Sequence, residues 1–520
     1  MTAWTVDDAL RRAASIGPGR TAVSAGGVEI TYAELDRSAS GIAGGLRDLG
    51  VNRGARVAVA LANRVEAALS VYAVFRAGAA LVPLPPGIKS QKLGQILADS
   101  GARALICELS LVPAVRAGGA ARAGLRIVTA GTVEGCASLA DLLRHEPLRE
   151  EPPIEVDIAA IIYTSGTTGA PKGVTLTHRN MAFAVSSIVD YLQMQGDDRV
   201  VSVLPLSFDY GLYQLLLCTA VGATLVLEPG VRYPGRLVQL LVEQRVTGLP
   251  GVPSLFGMLS SLPGFMGRPL PHLRFLTSTG AVLPVDTILA LRAAFPGARL
   301  YSMYGLTECK RVSYLPPAEV DRRPTSVGVP IPGTQVWIED DSGARLGAGQ
   351  VGQLVVRGPH VMQGYWDDPV ETRKRLRPGA WPWERTLATG DLFRRDEEGF
   401  LYYVGRRDDM IKTRGERVYP REIEDVLVTA PGVLEAAVVG VPDALLGEAI
   451  HAHVAPRPGT VLEVRELHRF CRERLEAHLV PSRIVVHGRL PKTVNGKIDH
   501  RALDGRSAEP PASGTAGPGR

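Results

Sequence analysis

The stretch Tyr163-Thr-Ser-Gly-Thr-Thr-Gly-Ala-Pro-Lys-Gly-Val174 gathers hydroxyls, glycines and one lysine directly after the apolar run Ile158 to Ile162. Donors of this kind hold phosphate oxygens. Thr164, Ser165, Thr167 and Thr168 offer hydroxyls, and Gly166 and Gly169 permit the backbone torsions with which N–H groups wrap an anion. Lys172 adds a mobile positive charge. The spacing is not that of a Walker A loop, because no Gly-Lys-Ser/Thr closes it. Composition alone also describes a flexible Ser/Gly connection, which is the commoner case among arbitrary loops of this make-up.

Other stretches carry further chemistry. Met303-Tyr-Gly-Leu-Thr-Glu308 supplies a ring, a glycine, a hydroxyl and a carboxylate after an apolar run. A buried carboxylate beside a phosphate loop is unfavourable unless it meets a cation, so Glu308 is a candidate Mg2+ ligand; a tyrosine with an exposed glutamate is the plainer alternative. Thr389-Gly-Asp391 is weak by itself, since Gly-Asp turns are common. Leu490-Pro-Lys-Thr-Val-Asn-Gly-Lys497-Ile-Asp499 presents one lysine on a polar loop, which composition alone makes a surface loop. In Leu204-Pro-Leu-Ser-Phe-Asp-Tyr-Gly-Leu-Tyr213 a carboxylate, Asp209, stands among apolar and aromatic residues, where it is poorly solvated unless paired. Its partner is either a substrate ammonium or an internal cation such as Lys310 or Arg311.

The elements that must position these residues follow from pattern. A hairpin turns at Gly26-Gly27, and Thr31-Tyr-Ala-Glu34 is a capping box opening a helix to about Gly50. A strand at Arg56 to Leu61 precedes a helix for which Asn63 is the expected cap, and the apolar runs 79–84, 102–107 and 125–129 read as buried strands between helices. Such alternation means a largely parallel sheet, and its continuation from His178 to Tyr304 predicts a second one. From Gly328 to Tyr403 short β segments with Gly turns suggest a small barrel-like unit. Residues 405–420 are strongly charged, and an α+β piece follows from Pro420. Arg506 to Arg520, rich in Pro, Gly, Ala and Ser, reads as a disordered tail.

A chain of 520 residues exceeds one core. Its net charge of +5 is spread among interleaved acids and bases, which does not indicate a nucleic-acid surface. The N-terminus lacks an apolar signal segment and no run is long enough to span a bilayer, so a cytoplasmic protein without membrane partners is expected. The five cysteines are isolated, against a disulfide framework or zinc site. Lysine is scarce: only eight of the 58 basic residues are Lys, and four of them, Lys172, Lys412, Lys492 and Lys497, fall in the stretches described. A lysine kept in an arginine-using chain suggests that a compact ammonium is wanted.

The string from Tyr163 to Val174 resembles the signature of the adenylate-forming superfamily, which includes acyl-CoA synthetases, luciferases and peptide-synthetase adenylation domains. The other motifs occur in that family's order, spanning residues 163–499. The resemblance implies an α/β fold: a large N-terminal core of two βα-layered sheets with a small β-barrel-like unit (1–405), a hinge (406–412) pivoting at Asp408, a small α+β lid (413–505) and the tail. It implies ATP and Mg2+, with Thr164, Ser165, Gly166, Thr167, Thr168, Gly169, Lys172, Gly280, Tyr304, Gly305 and Thr307 around the nucleotide. Asp391 and Arg406 would hold the ribose, Glu308 the metal, and Lys497, the catalytic lysine, the α-phosphate. Thr164 and Glu308 would share in the catalysis.

The implied reaction forms an acyl-adenylate from a carboxylic acid and passes the acyl group to a thiol, with charge stabilisation rather than a protein nucleophile. In peptide-synthetase domains an aspartate at the place of Asp209 meets the substrate ammonium. Tyr213, Thr279 and Met303, with Tyr210, Pro250, Thr277, Arg311 and Val312, would line a pocket for a small acid. The stretches around Asp209 and Tyr304 to Leu315 resemble free-standing ligases that load L-proline onto a carrier protein, and also related acyl-CoA ligases. An amino acid such as proline and a separate carrier protein are therefore the expected partners; a non-amino acid and CoA are the alternative.

Overall fold

The computed structural model describes residues 5–117, 124–148, 152–165, 171–231, 234–262, 264–413, 416–443, 446–493 and 498–503. Contacts divide the chain into two units, Met1–Trp337 with Val355–Thr389 and Glu398–Leu401, and Ile338–Leu354 with Gly390–Glu397 and Tyr402–Arg520.

The first unit holds two large sheets, as the alternating pattern predicts. One has eight strands in the order Gly364–Tyr365, Pro171–Thr177, Ile158–Ser165, Ala80–Pro83, Arg56–Ala60, Ala104–Cys107, Arg126–Thr129 and Ala137–Ser138. Its strands pair parallel from Ile158–Ser165 through to Ala137–Ser138. Ala104–Cys107 has no exposed residue, as a strand covered on both faces must. At the other side Ile158–Ser165 and Pro171–Thr177 run antiparallel, and only the two-residue strand Gly364–Tyr365 lies beyond them.

The second sheet has nine strands in the order Val329–Pro330, Ser313–Tyr314, Arg299–Tyr304, Phe275–Ser278, Gly248–Gly251, Arg199–Ser202, Thr224–Leu227, Thr21–Ala25 and Val28–Thr31. All neighbours from Arg299–Tyr304 to Thr21–Ala25 are parallel. The expected hairpin at Gly26-Gly27 is present, with both glycines in the left-handed region. It joins this sheet by pairing Val23 with Leu225, a long-range partner that local pattern does not indicate.

Helix starts follow the sequence in one case and depart from it in another. Thr31 caps Tyr32–Asp48 with the full reciprocal box to Glu34. Asn63, expected to cap the next helix, does not: the cap position of Val65–Arg76 is Arg64, without a side-chain bond. Asn63 is buried and its amide donates to the carbonyls of Leu204 and Glu228, each at 3.0 Å, while its oxygen accepts from Leu206 N–H at 3.0 Å. Satisfying carbonyls beyond the strands Arg199–Ser202 and Thr224–Leu227 outweighs one capping bond.

The short β segments after Gly328 are Gln335–Glu339, Gly352–Arg357, Leu376–Pro378, Arg385–Arg395 and Leu401–Arg406, which make up a third sheet. In the second unit Gly447–Pro456 pairs with Val433–Asp443, Ile411–Thr413 and Arg483–Val486, and the helices Pro420–Leu427 and Val464–Arg474 complete an α+β piece. Ile411, Ile423, Leu427, Val438, Ile450 and Leu467 are in its core. The tail expected at 506–520 lies outside the described residues. Among the described residues no helix is long and apolar enough to cross a membrane.

Candidate active site

The described ends of the phosphate-loop candidate are arms of an antiparallel pair: Thr164 stands opposite Lys172 and Ser165 opposite Pro171. Its central residues Gly166, Thr167, Thr168 and Gly169 lie outside the described ones. Lys172 is held by an anion of the chain itself, with Nζ 2.5 Å from Glu371 Oε2 and 5.8 Å from the centre of the Tyr365 ring. Lys374 pairs with the other carboxylate oxygen, and hydrogen bonds from Lys172 first and Lys374 next push the Glu371 carboxyl down to about 2. Glu371 therefore holds a full charge for Lys172 at any physiological pH.

The remaining groups of the first unit gather at the carboxyl ends of neighbouring parallel strands, where open α/β sheets bind ligands. Ser278 is in register with Ser302, so Thr279 and Gly280 beyond one strand lie beside Met303, Tyr304 and Gly305 at the end of the next. Gly280 has φ +92°, which favours glycine. A Cβ on Gly305 would lie 2.2 Å from the Lys310 carbonyl, so glycine is required for the chain to pass its own following turn. Thr279, Met303 and Tyr213 are buried, and Thr307 is half-buried.

Glu308 is half-buried rather than buried, and one of its oxygens accepts from the Tyr365 hydroxyl at 2.7 Å. Burial first and Glu308 next push the Tyr365 pKa up, so the phenol remains a donor and Glu308 an acceptor in fixed orientation. The other oxygen fits a hard cation that takes most of its ligands from phosphate and water. No group of three or more His, Cys, Asp or Glu side chains that could hold a metal occurs among the described residues.

Asp209 opens the helix Asp209–Val221, whose following residues Tyr210 to Thr219 are all buried. Its carboxylate lies 3.5 Å from Lys310 Nζ. Lys310 is itself buried, lies 4.5 Å from the centre of the Tyr213 ring, and has its pKa pulled down to about 8 by burial, against the opposing field of Asp209. Of the two partners open to Asp209 in the sequence, the internal cation Lys310 lies within ion-pair distance.

In the second unit Asp391 is buried and accepts from Arg406 Nε at 3.1 Å, so the two residues assigned to the ribose are brought together. Asp408 is exposed in the short turn Arg407–Asp409. Lys497 lies outside the described residues. Sequence reasoning passed over Tyr365 and Glu371, which carry no signature of their own. Lys310, named in the sequence as a possible internal partner of Asp209, is another of the eight lysines and follows Glu308 by two residues.

A hydroxyl-rich hairpin with a lysine, and a tyrosine-held glutamate beyond the strand ends of a two-sheet core, are groups that could hold a nucleotide. The chain belongs to the AMP-binding, adenylate-forming enzymes: the family model for the AMP-binding enzyme matches residues 10–366 and that for its C-terminal domain matches residues 422–497. It is an AMP-forming acid–thiol ligase. Among its relatives are a feruloyl-CoA synthase of Amycolatopsis, 36% identical over 94% of this chain and 96% of the relative. The phosphinothricin tripeptide synthetase PhsC of Streptomyces viridochromogenes is 34% identical over 96% of this chain and 45% of that protein. The ATP-bound crystal structure of MatB from Rhodopseudomonas palustris superposes with a TM-score of 0.88 at 30% identity, covering 96% of this chain and 98% of MatB.

Proposed function

We propose that the enzyme adenylates a small non-amino carboxylic acid and transfers the acyl group to coenzyme A. A carboxylate oxygen attacks the α-phosphorus of ATP and pyrophosphate leaves; the thiol sulfur then attacks the acyl carbon, its proton is lost and AMP leaves. The observation that carries the choice of acid is the Asp209–Lys310 pair at 3.5 Å. An aspartate already neutralised by an ammonium of the chain has no need of one from the substrate. Kinship over nearly the full chain with a CoA-thioester synthase supports the acceptor.

The residues take the following roles in this reading. Thr164 to Gly169 and Lys172 cradle the phosphates, and Lys172 exchanges Glu371 for them. Tyr304 lies against adenine, with Gly280, Gly305 and Thr307 close to the nucleotide. Asp391 and Arg406 receive the ribose hydroxyls. Lys497 neutralises charge developing at the α-phosphate, and Asp408 is the pivot that separates the two half-reactions. Glu308, oriented by Tyr365, would hold Mg2+, which would supply charge neutralisation on the phosphates.

A second reading, an amino acid such as L-proline passed to a separate carrier protein, is favoured by the peptide-synthetase relative and by Asp209 itself. One experiment separates the two. ATP–pyrophosphate exchange is measured across amino acids and small carboxylic acids, and the best acid is then tested for thioester formation with saturating CoA against a purified holo-carrier. Exchange led by a nitrogen-free acid with turnover on CoA is the expected result. Exchange led by proline with turnover on the carrier alone overturns it.

A further inference from the structure

The turn after Glu308 buries two consecutive cations. Lys310 adopts φ +59°, unusual for a residue with a side chain, and Arg311 N–H reaches back to the Cys309 carbonyl at 2.7 Å. Lys310 and Arg311 are 5% and 2% exposed, and only one carboxylate, Asp209, is paired with either among the described residues. Asp209 answers Lys310. Among the described residues no hydrogen bond or ion pair reaches the Arg311 guanidinium, and its Nε is a buried donor without an acceptor. The guanidinium lies over the face of Tyr210, 5.5 Å from the ring centre. The Tyr210 hydroxyl is committed elsewhere, to Thr277 Oγ1 at 2.6 Å. A cation–π contact offsets only part of the cost of taking a guanidinium out of water. Buried charges in native proteins are paired, and one that is not points to a missing anion.

We propose that Arg311 determines acid specificity, and that the acid carries a second anionic group, such as the far carboxylate of a small dicarboxylic acid, which pairs with Arg311. The inference rests on reading this end of the strands as the acid site, and adds the class of acid it takes. Two cations against one carboxylate leave the cluster one positive charge in excess, and a second anion on the substrate balances it. The planar guanidinium, with five donors in a fork, suits a carboxylate better than the ammonium of Lys310 does. Lys310 keeps Asp209 from competing for Arg311 by occupying it.

The test is ATP–pyrophosphate exchange by the full chain with matched pairs, succinate against butyrate, glutarate against valerate and terephthalate against benzoate, with malonate and adipate bracketing the length. One diacid is expected to exceed its monoacid by about 100-fold in kcat/KM, the range of a desolvated charge pair. Arg311→Met is expected to lose about that factor through KM for the diacid, leave KM for ATP unchanged, and gain activity on the matching monoacid; Arg311→Lys should keep part of the preference. Equal use of monoacids and diacids by the wild type overturns the proposal, as does an unchanged preference in Arg311→Met. If Arg311→Met does not fold, the wild-type comparison and Arg311→Lys decide. Exchange with none of these acids would instead overturn the small-acid reading on which the proposal rests.

Discussion

Removing the carboxylate of Asp7 tests how the first unit is held together far from the chemistry. Asp7, 1% exposed on the helix Val6–Ile16, faces Arg76, 4% exposed at the end of Val65–Arg76. Arg76 Nη2 lies 2.9 Å and Nε 3.2 Å from Asp7, while Nη2 also meets Asp36 at 2.6 Å and Nη1 meets Ser40 Oγ and the Asp36 carbonyl at 2.7 Å each. Every donor of the guanidinium therefore faces an acceptor. Breaking a buried pair by removing one partner costs about 3 to 5 kcal/mol, because it strands a charge. Asp7→Ala belongs at the lower end, since Arg76 keeps Asp36, whereas Arg76→Met leaves Asp7 with only the half-exposed Arg11 at 2.8 Å and belongs higher. The double variant Asp7→Ala/Arg76→Met removes both charges and is expected to recover about 2 kcal/mol of the sum of the single losses. Urea unfolding of the full chain followed by tryptophan fluorescence measures this cleanly, because all five tryptophans fall in the first unit. A loss below about 1 kcal/mol for Asp7→Ala, or strict additivity in the double variant, would refute the reasoning. The KM for ATP should not move in any of the three.

Two further outcomes are expected. Lys497→Ala should abolish acyl-adenylate formation while leaving thiol transfer from supplied acyl-adenylate largely intact, and equal loss of both half-reactions in single-turnover assays would contradict its role. Stability should fall between pH 6.5 and about 4, because burial pulls His178 and His360 down to about 4 from an ordinary 6.5, so the unfolded chain takes up protons first as pH drops. The effect is absent above pH 6.5, grows through the window and levels off below 4, at up to roughly 3 kcal/mol for each histidine. His178→Leu should flatten that slope in urea midpoints measured at pH 7 and 4.5; an unchanged slope would exclude His178 as a source.

What was legible in the sequence is what neighbours decide. The Thr31 capping box, the Gly26-Gly27 hairpin and the apolar runs of the parallel strands are set by residues a few positions apart, and they stand where pattern places them. Asn63 was misread because a side chain with both donor and acceptor serves whichever unpaired groups the tertiary fold leaves nearest, and those belonged to Leu204, Leu206 and Glu228. The partner of Asp209 remained open for the same reason: Lys310 reaches it across a hundred residues of chain, around a left-handed turn that no local propensity favours. Glu371 and Tyr365 were invisible because their importance comes wholly from the groups they hold, Lys172 and Glu308.

The pairing of Thr164 with Lys172 across the hairpin has a consequence for how this stretch can vary. Side chains in a strand alternate between faces, so sliding one arm past the other by a single residue would turn Lys172 away from Glu371 and drive Val174 and Leu176, both buried, out of their places. An insertion or deletion of one residue within either arm would therefore cost Lys172 its anion and the core two side chains at once, so descendants of this gene are bound to keep the phase of the strands that deliver the loop.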